Sequence, residues 1–164
     1  MLKRRQVLPA SIGGIAFLAA MRCHLPLAMA ADESFEVRHT DAEWRALLTR
    51  AQYAVLRRAD TEYPGSSPLN HETRTGTFAC AGCTLALFAS DTKFDSHTGW
   101  PSFWAPLPNA IVTSNERSVD RTGREVHCRR CGGHLGHVFR DGPPPTNLRY
   151  CINGVALNFT PRAG

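Results

Sequence analysis

Two Cys-x-x-Cys pairs constrain this chain more than any other feature of its sequence. Cys80 and Cys83 form the first pair, Cys128 and Cys131 form the second, and residues 84–127 separate them. Each pair predicts a tight turn that directs two sulfurs at one metal ion, and the doubling favours a tetrahedral zinc site with four thiolates. Because such a closed site leaves no coordination position for a substrate, we expect it to be structural. Two disulfides or a redox-active pair are the alternatives.

Cys151 is the cysteine left over once these pairs are set aside. It lies in the run Arg149-Tyr150-Cys151-Ile152-Asn153, whereas Cys23 belongs to a segment that we expect to be removed. An unpaired cysteine with histidines elsewhere in the chain is a candidate nucleophile. If residues 148–153 form a strand, Arg149, Cys151 and Asn153 project from the same face.

The length and charge of the chain limit its class. A chain of 164 residues predicts one domain. The net charge is +5, but four of the 19 basic residues lie within residues 1–30, which hold no acidic residue. The remainder is close to neutral and shows no basic stripe, so we predict no nucleic-acid binding.

Residues 1–30 predict an export signal peptide, which leaves residues 31–164 as the functional domain. The basic start (Lys3, Arg4 and Arg5) precedes an apolar stretch at residues 7–21 and a small-residue exit at Ala28-Met29-Ala30. The paired arginines resemble a twin-arginine signal. We therefore expect a bacterial periplasmic protein with no stable membrane span after cleavage; an ordinary secretory signal, a retained anchor or an organelle transit peptide are alternatives.

The pattern along the rest of the chain changes from helical to extended. Thr40-Asp41-Ala42-Glu43 predicts a helix-starting capping box. Apolar residues then recur at helical spacing up to a predicted end near Arg58, with one break allowed: Trp44, Leu47, Leu48, Ala51, Val55 and Leu56. Short runs at residues 76–79, 85–88, 110–113 and 155–159 predict strands. The fold class is therefore mainly β, with an N-terminal helical segment packed on antiparallel β-sheets and stapled by zinc.

Two further segments carry candidate chemistry. His134 and His137 can supply a proton donor near neutral pH, although hydrogen bonding within the fold or metal ligation would also account for them. Trp100, between Gly99 and Pro101, is either a core residue or the wall of a pocket. An aromatic wall would suit a thioether or sulfoxide methyl group.

Together these segments closely resemble the zinc-containing B-type methionine sulfoxide reductases. The resemblance covers residues from about Trp44 to Phe159, and several separate motifs occur in the same order. They are Gly99-Trp100-Pro101-Ser102-Phe103, His134-Leu135-Gly136-His137-Val138-Phe139, Asp141-Gly142-Pro143 and Arg149-Tyr150-Cys151-Ile152-Asn153. By resemblance the fold is of the Mss4-like, β-tent type, with one structural zinc ion.

The resemblance also implies roles for individual residues. The Cys151 thiolate attacks the sulfur of methionine R-sulfoxide, protein-bound or free, and becomes a sulfenic acid. His134 and His137 position the sulfoxide oxygen and supply the proton. Trp100 packs against the substrate methyl group. The remaining implied site residues are Arg149 and Asn153 beside the nucleophile and Phe139 at the substrate.

Two departures from the family pattern matter. Gly154 stands where many members have serine, and we expect a small effect. Thr98 stands where members that recycle through an internal disulfide often have a resolving cysteine. The sulfenic acid should then be reduced directly by a small thiol or a thioredoxin-like partner. No apolar heptad or interface stripe is apparent, and we expect a monomer.

Two other functions compete with this prediction. A zinc-stapled β-domain can serve as a protein-binding module without enzymatic activity. Cys151 could instead perform peroxide reduction or disulfide exchange. A binding module has no need for Cys151 together with the site residues named above, and the missing resolving cysteine argues against efficient disulfide exchange.

Overall fold

The computed structural model describes residues 35–114 and 123–163, so the predicted signal peptide at residues 1–30 lies outside the described residues. Two short helices come first, α1 (Asp41–Leu47) and α2 (Arg50–Arg58). The described strands are β1 (Gly76–Cys80), β2 (Ala86–Ala89), β3 (Lys93–Phe94), β4 (Ser102–Phe103), β5 (Ile111–Thr113), β6 (Arg124–Cys128), β7 (His134–Phe139), β8 (Arg149–Ile152) and β9 (Leu157–Pro161). The predicted mainly β fold with an N-terminal helical segment is confirmed.

None of the helices within these described ranges has the length and apolar character needed to span a membrane.

Each helix begins at its own capping box. The Thr40 backbone N–H donates to Glu43 at 2.7 Å, and the Thr40 hydroxyl accepts from the Glu43 backbone N–H. Thr49 and Gln52 repeat this arrangement at the start of α2. The second box ends the first helix and resets the helical phase. The break that the sequence pattern allows is therefore present, but Leu47, which was expected on the apolar face, is 60% exposed, and Tyr53 is buried instead.

The strands form two antiparallel sheets. The three-stranded sheet has the order β2-β1-β9, and the six-stranded sheet has the order β3-β4-β8-β7-β6-β5. Phe78 and Phe88 from the first sheet meet Phe103 from the second, with ring centroids 5.0 and 4.3 Å from Phe103. All three are fully buried, and each contributes about 1.5–3 kcal/mol of hydrophobic stabilisation.

The helices pack on the two cysteine-bearing turns. A methyl group added at Gly82 would lie 3.5 Å from Leu56 and 3.6 Å from Trp44, so both side chains cover the first turn. Arg57 donates to the carbonyl of Cys131 in the second turn at 3.0 Å. The N-terminal helical segment is thus anchored to the part of the β-domain where the four cysteines meet.

Candidate active site and metal centre

The structure brings the four paired cysteines together in one cluster. Their sulfurs all lie within 4.8 Å of one another, with 3.7 Å between Cys80 and Cys131 and 3.4 Å between Cys83 and Cys128. A tetrahedron of thiolates about 2.3 Å from a zinc ion has edges of about 3.8 Å. The cluster therefore fits a zinc ion, and none of its cysteines is disulfide-bonded.

The crowding of these sulfurs also points to a cation. Contact with Cys128, then with Cys131 and Cys83, raises the pKa of the buried Cys80 thiol, and burial raises it further. The four thiols cannot all ionise at neutral pH unless a positive charge lies among them. A dication at the centre removes this repulsion.

The two cysteine turns share one backbone geometry. The N–H of Thr84 donates to the Cys80 carbonyl and that of Gly132 donates to the Cys128 carbonyl, each at 2.8 Å. Both donors follow the second cysteine of their pair, and both have positive φ, 61° for Thr84 and 68° for Gly132. Glycine adopts this left-handed conformation without strain at Gly132, whereas in the first turn it falls on Thr84.

Cys151 lies in the middle of the six-stranded sheet, away from the cluster. It pairs with Ser102 on β4 and with His137 on β7, and His137 pairs in turn with Glu125 on β6. Directly opposed residues of antiparallel strands project to the same face. A row of four polar side chains thus crosses the sheet, and Cys151 is half-buried within it.

A bulge in β7 brings the second histidine to this row. Val126 pairs with Gly136, but the next residue, His127, pairs with His134, so Leu135 is an extra residue in β7. Residues three apart would point to opposite faces of a regular strand. Because of the bulge, the rings of His134 and His137 lie side by side with centroids 5.5 Å apart.

Glu125 holds His134 through one ring nitrogen. His134 Nδ1 and Glu125 Oε1 are 2.6 Å apart, and the side chain of His134 is only 4% exposed. Burial lowers the pKa of His134, with the bond to Glu125 opposing it, and burial also lowers the pKa of His137. Nε2 of His134 is a buried nitrogen without a hydrogen-bond partner among the described residues.

Arg149 connects Cys151 to a carboxylate. Its guanidinium donates two hydrogen bonds to Asp141, at 2.9 and 2.7 Å, and lies 4.3 Å from the centroid of the Phe139 ring. The pKa of Arg149 is raised. Burial acts to lower it, but the hydrogen bonds and charge of Asp141, followed by the interaction with Cys151, outweigh the effect of burial. The same bonds lower the pKa of Asp141. Arg149 and Cys151 therefore share a face of β8 and interact.

Thr98 and two serines form a chain of hydroxyl groups that ends at Cys151. The Thr98 hydroxyl lies 3.8 Å from the Cys151 sulfur and 2.8 Å from the Ser96 hydroxyl, which is 2.7 Å from Ser102. The position at which some family members carry a resolving cysteine is thus adjacent to the Cys151 sulfur in this chain.

Trp100 is half-buried, with its indole N–H donating to the Glu62 carbonyl at 3.2 Å. The preceding Gly99 has φ 93°, and a side chain there would meet Pro64 at 2.7 Å. The loop is therefore pressed against residues 64–65 in a conformation that suits glycine. Partial exposure fits a pocket wall better than a core position.

Asn153 differs from its expected position. β8 ends at Ile152, so Asn153 is not a strand residue on the face of Cys151. It is buried, its amide donates to the Leu135 carbonyl at 3.1 Å, and its side-chain oxygen accepts from the Glu62 N–H at 3.0 Å. Asn153 thus connects the bulge of β7 to the loop at Glu62, and the carbonyl of Glu62 accepts the hydrogen bond from Trp100.

Three acidic residues of the site escaped the sequence interpretation. Glu125 binds His134, Asp141 binds Arg149, and the Glu62 carboxylate accepts from the N–H groups of Gly154 and Val155 at 2.6 and 2.9 Å. Asp141 lies in the motif Asp141-Gly142-Pro143, whose pattern alone indicates no role for the carboxylate. Glu125 lies two residues before His127 in a run that alternates polar and apolar side chains, and this pattern is a weak signal of a site residue. Glu62 stands in an irregular loop and carries no local signal.

These features define a thiol-bearing domain with a four-cysteine cluster that could hold a metal ion, and comparison with known proteins gives its family. The SelR domain family matches residues 48–161. The chain is 51% identical to the peptide methionine sulfoxide reductase MsrB of Pseudomonas putida (strain W619) over 79% of this chain and 98% of that protein. It is 50% identical to the protein of the same name from Agrobacterium fabrum over 77% and 94% of the two chains. The corresponding protein of Methanosarcina barkeri is 50% identical over 75% and 87%. The chain belongs to the SelR domain family.

Proposed function

We propose that this protein is a thiol-dependent reductase that converts methionine R-sulfoxide, protein-bound or free, to methionine. The observation that carries the proposal is the position of Cys151, half-exposed beside Arg149 and between His137 and Ser102 in the polar row. Membership of the SelR family and the names of its relatives support it. A binding module without activity is not favoured, since it has no need for this arrangement.

The chemistry assigns one role to each side chain. The Cys151 thiolate attacks the sulfoxide sulfur, and the Arg149 guanidinium stabilises the thiolate. His134 and His137 orient the sulfoxide oxygen and deliver a proton to it. Trp100 and Phe139 form the apolar contact for the substrate methyl group. Asn153 acts as a positioning residue through its bonds to Leu135 and Glu62.

The electrons and atoms balance within this scheme. Two electrons pass from the Cys151 sulfur to the substrate sulfur, the oxygen moves to Cys151 with one proton, and methionine leaves. The product on the enzyme is a sulfenic acid. Two external thiols then reduce it, one forming a mixed disulfide and the other releasing it, with loss of water.

Thr98 leads us to propose recycling by an external reductant. A small thiol or a thioredoxin-like protein would reduce the sulfenic acid directly, because the position adjacent to the Cys151 sulfur carries a hydroxyl. After one equivalent of substrate, mass spectrometry should find a sulfenic acid on Cys151. A disulfide joining Cys151 to any cysteine of the same chain would contradict this recycling route.

The reductase itself is tested by a single turnover of pre-reduced, zinc-loaded protein with racemic N-acetyl-methionine sulfoxide amide. We expect loss of the R epimer alone, at one equivalent per chain, by chiral chromatography. The Cys151→Ser variant should retain its metal and lose this reaction. Reduction of peroxide by the wild-type protein without reduction of either epimer would reject the proposal in favour of another thiol chemistry.

We also propose that the ion held by Cys80, Cys83, Cys128 and Cys131 is a single structural Zn²⁺. The sulfur–sulfur distances support this ion, as does its preference for four thiolates. Elemental analysis of purified protein should give one zinc per chain. A protein with disulfides among these cysteines and no metal would contradict it.

Export to a bacterial periplasm, by a twin-arginine or ordinary secretory signal, is a further proposal and rests on residues 1–30 alone. Fractionation of cells that produce the full chain should place a form beginning at Ala31 in the periplasm. Cytoplasmic protein that retains the arginine pair would oppose it.

The expected monomer stays a prediction, which light scattering of the purified protein can test.

A further inference from the structure

One carboxylate oxygen faces two imidazoles at the edge of the polar row. Glu125 Oε1 lies 2.6 Å from Nδ1 of His134 and 3.2 Å from Nε2 of His127. The three candidate ligand atoms all lie within 4.8 Å of one another. The proposed reductase chemistry uses His134 but has no role for His127.

The hydrogen bonds of His127 orient it as a metal ligand. Its Nδ1 lies 3.2 Å from the carbonyl oxygen of Gly132, which can only accept, so Nδ1 carries the proton of this bond. In the neutral ring Nε2 then presents a lone pair to the Glu125 oxygen. A backbone carbonyl that fixes the other ring nitrogen is the usual support of a metal-bound histidine.

The spacing of the three groups suits an ion. Zinc bound tetrahedrally at about 2.0–2.2 Å by nitrogen and oxygen needs neighbouring ligand atoms about 3.3 Å apart. The distance between Glu125 and His127 already has this value, and the distance between Glu125 and His134 must lengthen by less than about 1 Å. Two imidazoles and one carboxylate also form a donor set that zinc uses in open sites.

The cluster can be reached from solvent. A cavity of about 380 Å³ is lined by Glu125, His127 and His134 on one side and by residues 56–59 at the end of α2 on the other. Two arginines also line this cavity. The Arg57 guanidinium lies 4.7 Å from the Trp44 ring and donates to the Cys131 carbonyl, so its charge is engaged there. Arg58 donates to the Tyr53 hydroxyl and pairs with Asp41 at 3.5 Å. Water in this cavity can complete the coordination of an ion.

We propose that Glu125, His127 and His134 form a second Zn²⁺ site, distinct from the four-sulfur cluster, and that its occupation inhibits the enzyme. The inhibition rests on the proposed reductase function. An ion on Nδ1 of His134 replaces the bond to Glu125 and holds the ring in one protonation state, so His134 can no longer deliver a proton to the substrate oxygen.

Calorimetric titration tests the site without using activity. Zn²⁺ is added to protein whose four-sulfur cluster is already filled, with Cys151→Ser in the background so that this thiol cannot bind the ion. We expect this protein to bind one further equivalent of Zn²⁺. Its affinity should fall by about tenfold or more in His127→Asn, because this substitution keeps a donor for the Gly132 carbonyl but removes the Nε2 ligand. His71→Asn is the matched control, because His71 is exposed and adjoins Glu72 without a second histidine.

X-ray absorption guards against a misfolded variant, because it leaves the ligands of the second site unaltered. The difference between the spectra of the Cys151→Ser protein with two and with one equivalents of Zn²⁺ should show nitrogen and oxygen neighbours only; a sulfur neighbour in this difference would overturn the site. In turnover assays, Zn²⁺ should inhibit the wild-type protein at a concentration at least about tenfold lower than His127→Asn. Absence of a second equivalent, or binding unchanged in His127→Asn, would also overturn the site. If the protein reduced no sulfoxide but bound the second ion as expected, only the reductase function would fail.

Discussion

Arg149 links the reactive sulfur to its electrostatic surroundings. Its guanidinium contacts Asp141 through two hydrogen bonds, lies over Phe139, and interacts with the Cys151 thiol. The side chain is only 12% exposed, so its charge is poorly screened by water. A cation held in this way favours the thiolate, which is the reactive form of Cys151.

Replacing Arg149 by methionine should therefore slow the alkylation of Cys151 at pH 7 by about tenfold, because the neighbouring positive charge that favours the thiolate is lost. The rate of reaction with iodoacetamide, followed by mass spectrometry of Cys151, measures this effect. Arg162→Met is the control, since Arg162 is exposed beyond β9. Equal rates for the two variants would show that Arg149 does not activate Cys151.

His134 should make stability depend on pH in a known direction. Burial lowers its folded-state pKa below the ordinary value of 6.5. The unfolded chain then binds more protons in this range, so the contribution is fully present above about pH 6.5 and is lost as pH falls through the folded pKa. Between pH 7.5 and 5.5, the free energy of unfolding should fall more steeply in wild type than in His134→Gln. Urea denaturation with zinc content monitored tests this, and parallel profiles would contradict it.

Strand β7 decides the geometry of the site at the level of elements. Its extra residue places His134 and His137 on one face, and Gly136 at the bulge has φ 151°. A side chain at Gly136 would come within 2.1 Å of the Cys151 carbonyl oxygen on β8. Only glycine permits this close approach of the two backbones.

Gly136→Ala should accordingly lower the free energy of unfolding by about 1–3 kcal/mol and reduce turnover, because β7 must move away from Cys151. Gly82→Ala is the matched control, since a methyl group there meets its neighbours at ordinary distances of 3.5 Å and more. It should change stability by less than about 0.5 kcal/mol. Chemical denaturation and single-turnover rates measure both, and equal losses in the two variants would refute the role of the bulge.

The elements that depend on neighbours in sequence were predictable, whereas contacts between distant elements were not, apart from the meeting of the two cysteine pairs. The capping box at Thr40 and the cysteine pairs are local patterns, so their geometry follows from adjacent residues. The second capping box, Thr49 with Gln52, is equally local. It ends α1 and leaves Leu47 exposed, which the helical spacing of the apolar residues did not predict. The bulge at Gly136 depends on the register of β6 against β7, which no single segment encodes.

At the scale of the described domain, the two sheets approach each other at the cysteine cluster. Cys80 ends β1 in the three-stranded sheet, while Cys128 ends β6 in the six-stranded sheet. An ion bound by both joins the sheets beside α1 and α2. The strands that carry Cys151 and the histidines belong to the six-stranded sheet, so the proposed zinc stabilises the site without taking part in it.

Cys128→Ser should abolish stoichiometric zinc and lower the free energy of unfolding by more than about 3 kcal/mol, because metal binding is coupled to folding. Activity should fall with it, although the serine replaces no residue of the proposed active site. Cys151→Ser, which removes a cysteine outside the cluster, should keep both the metal and the stability. Elemental analysis and thermal unfolding measure these effects; a stable, active Cys128→Ser protein would contradict the structural role.

Leu56 and Trp44 cover the first cysteine turn, and Arg57 is bonded to the second. A chelator that approaches from solvent on this side meets the helices before it meets sulfur. Loss of the cluster ion along this side would then wait for the helices to lift away, so the transfer rate of zinc by this route should level off as chelator concentration rises. On this side the ion would be held for a kinetic reason as well as a thermodynamic one, with its rate of loss set by the local opening of α1 and α2.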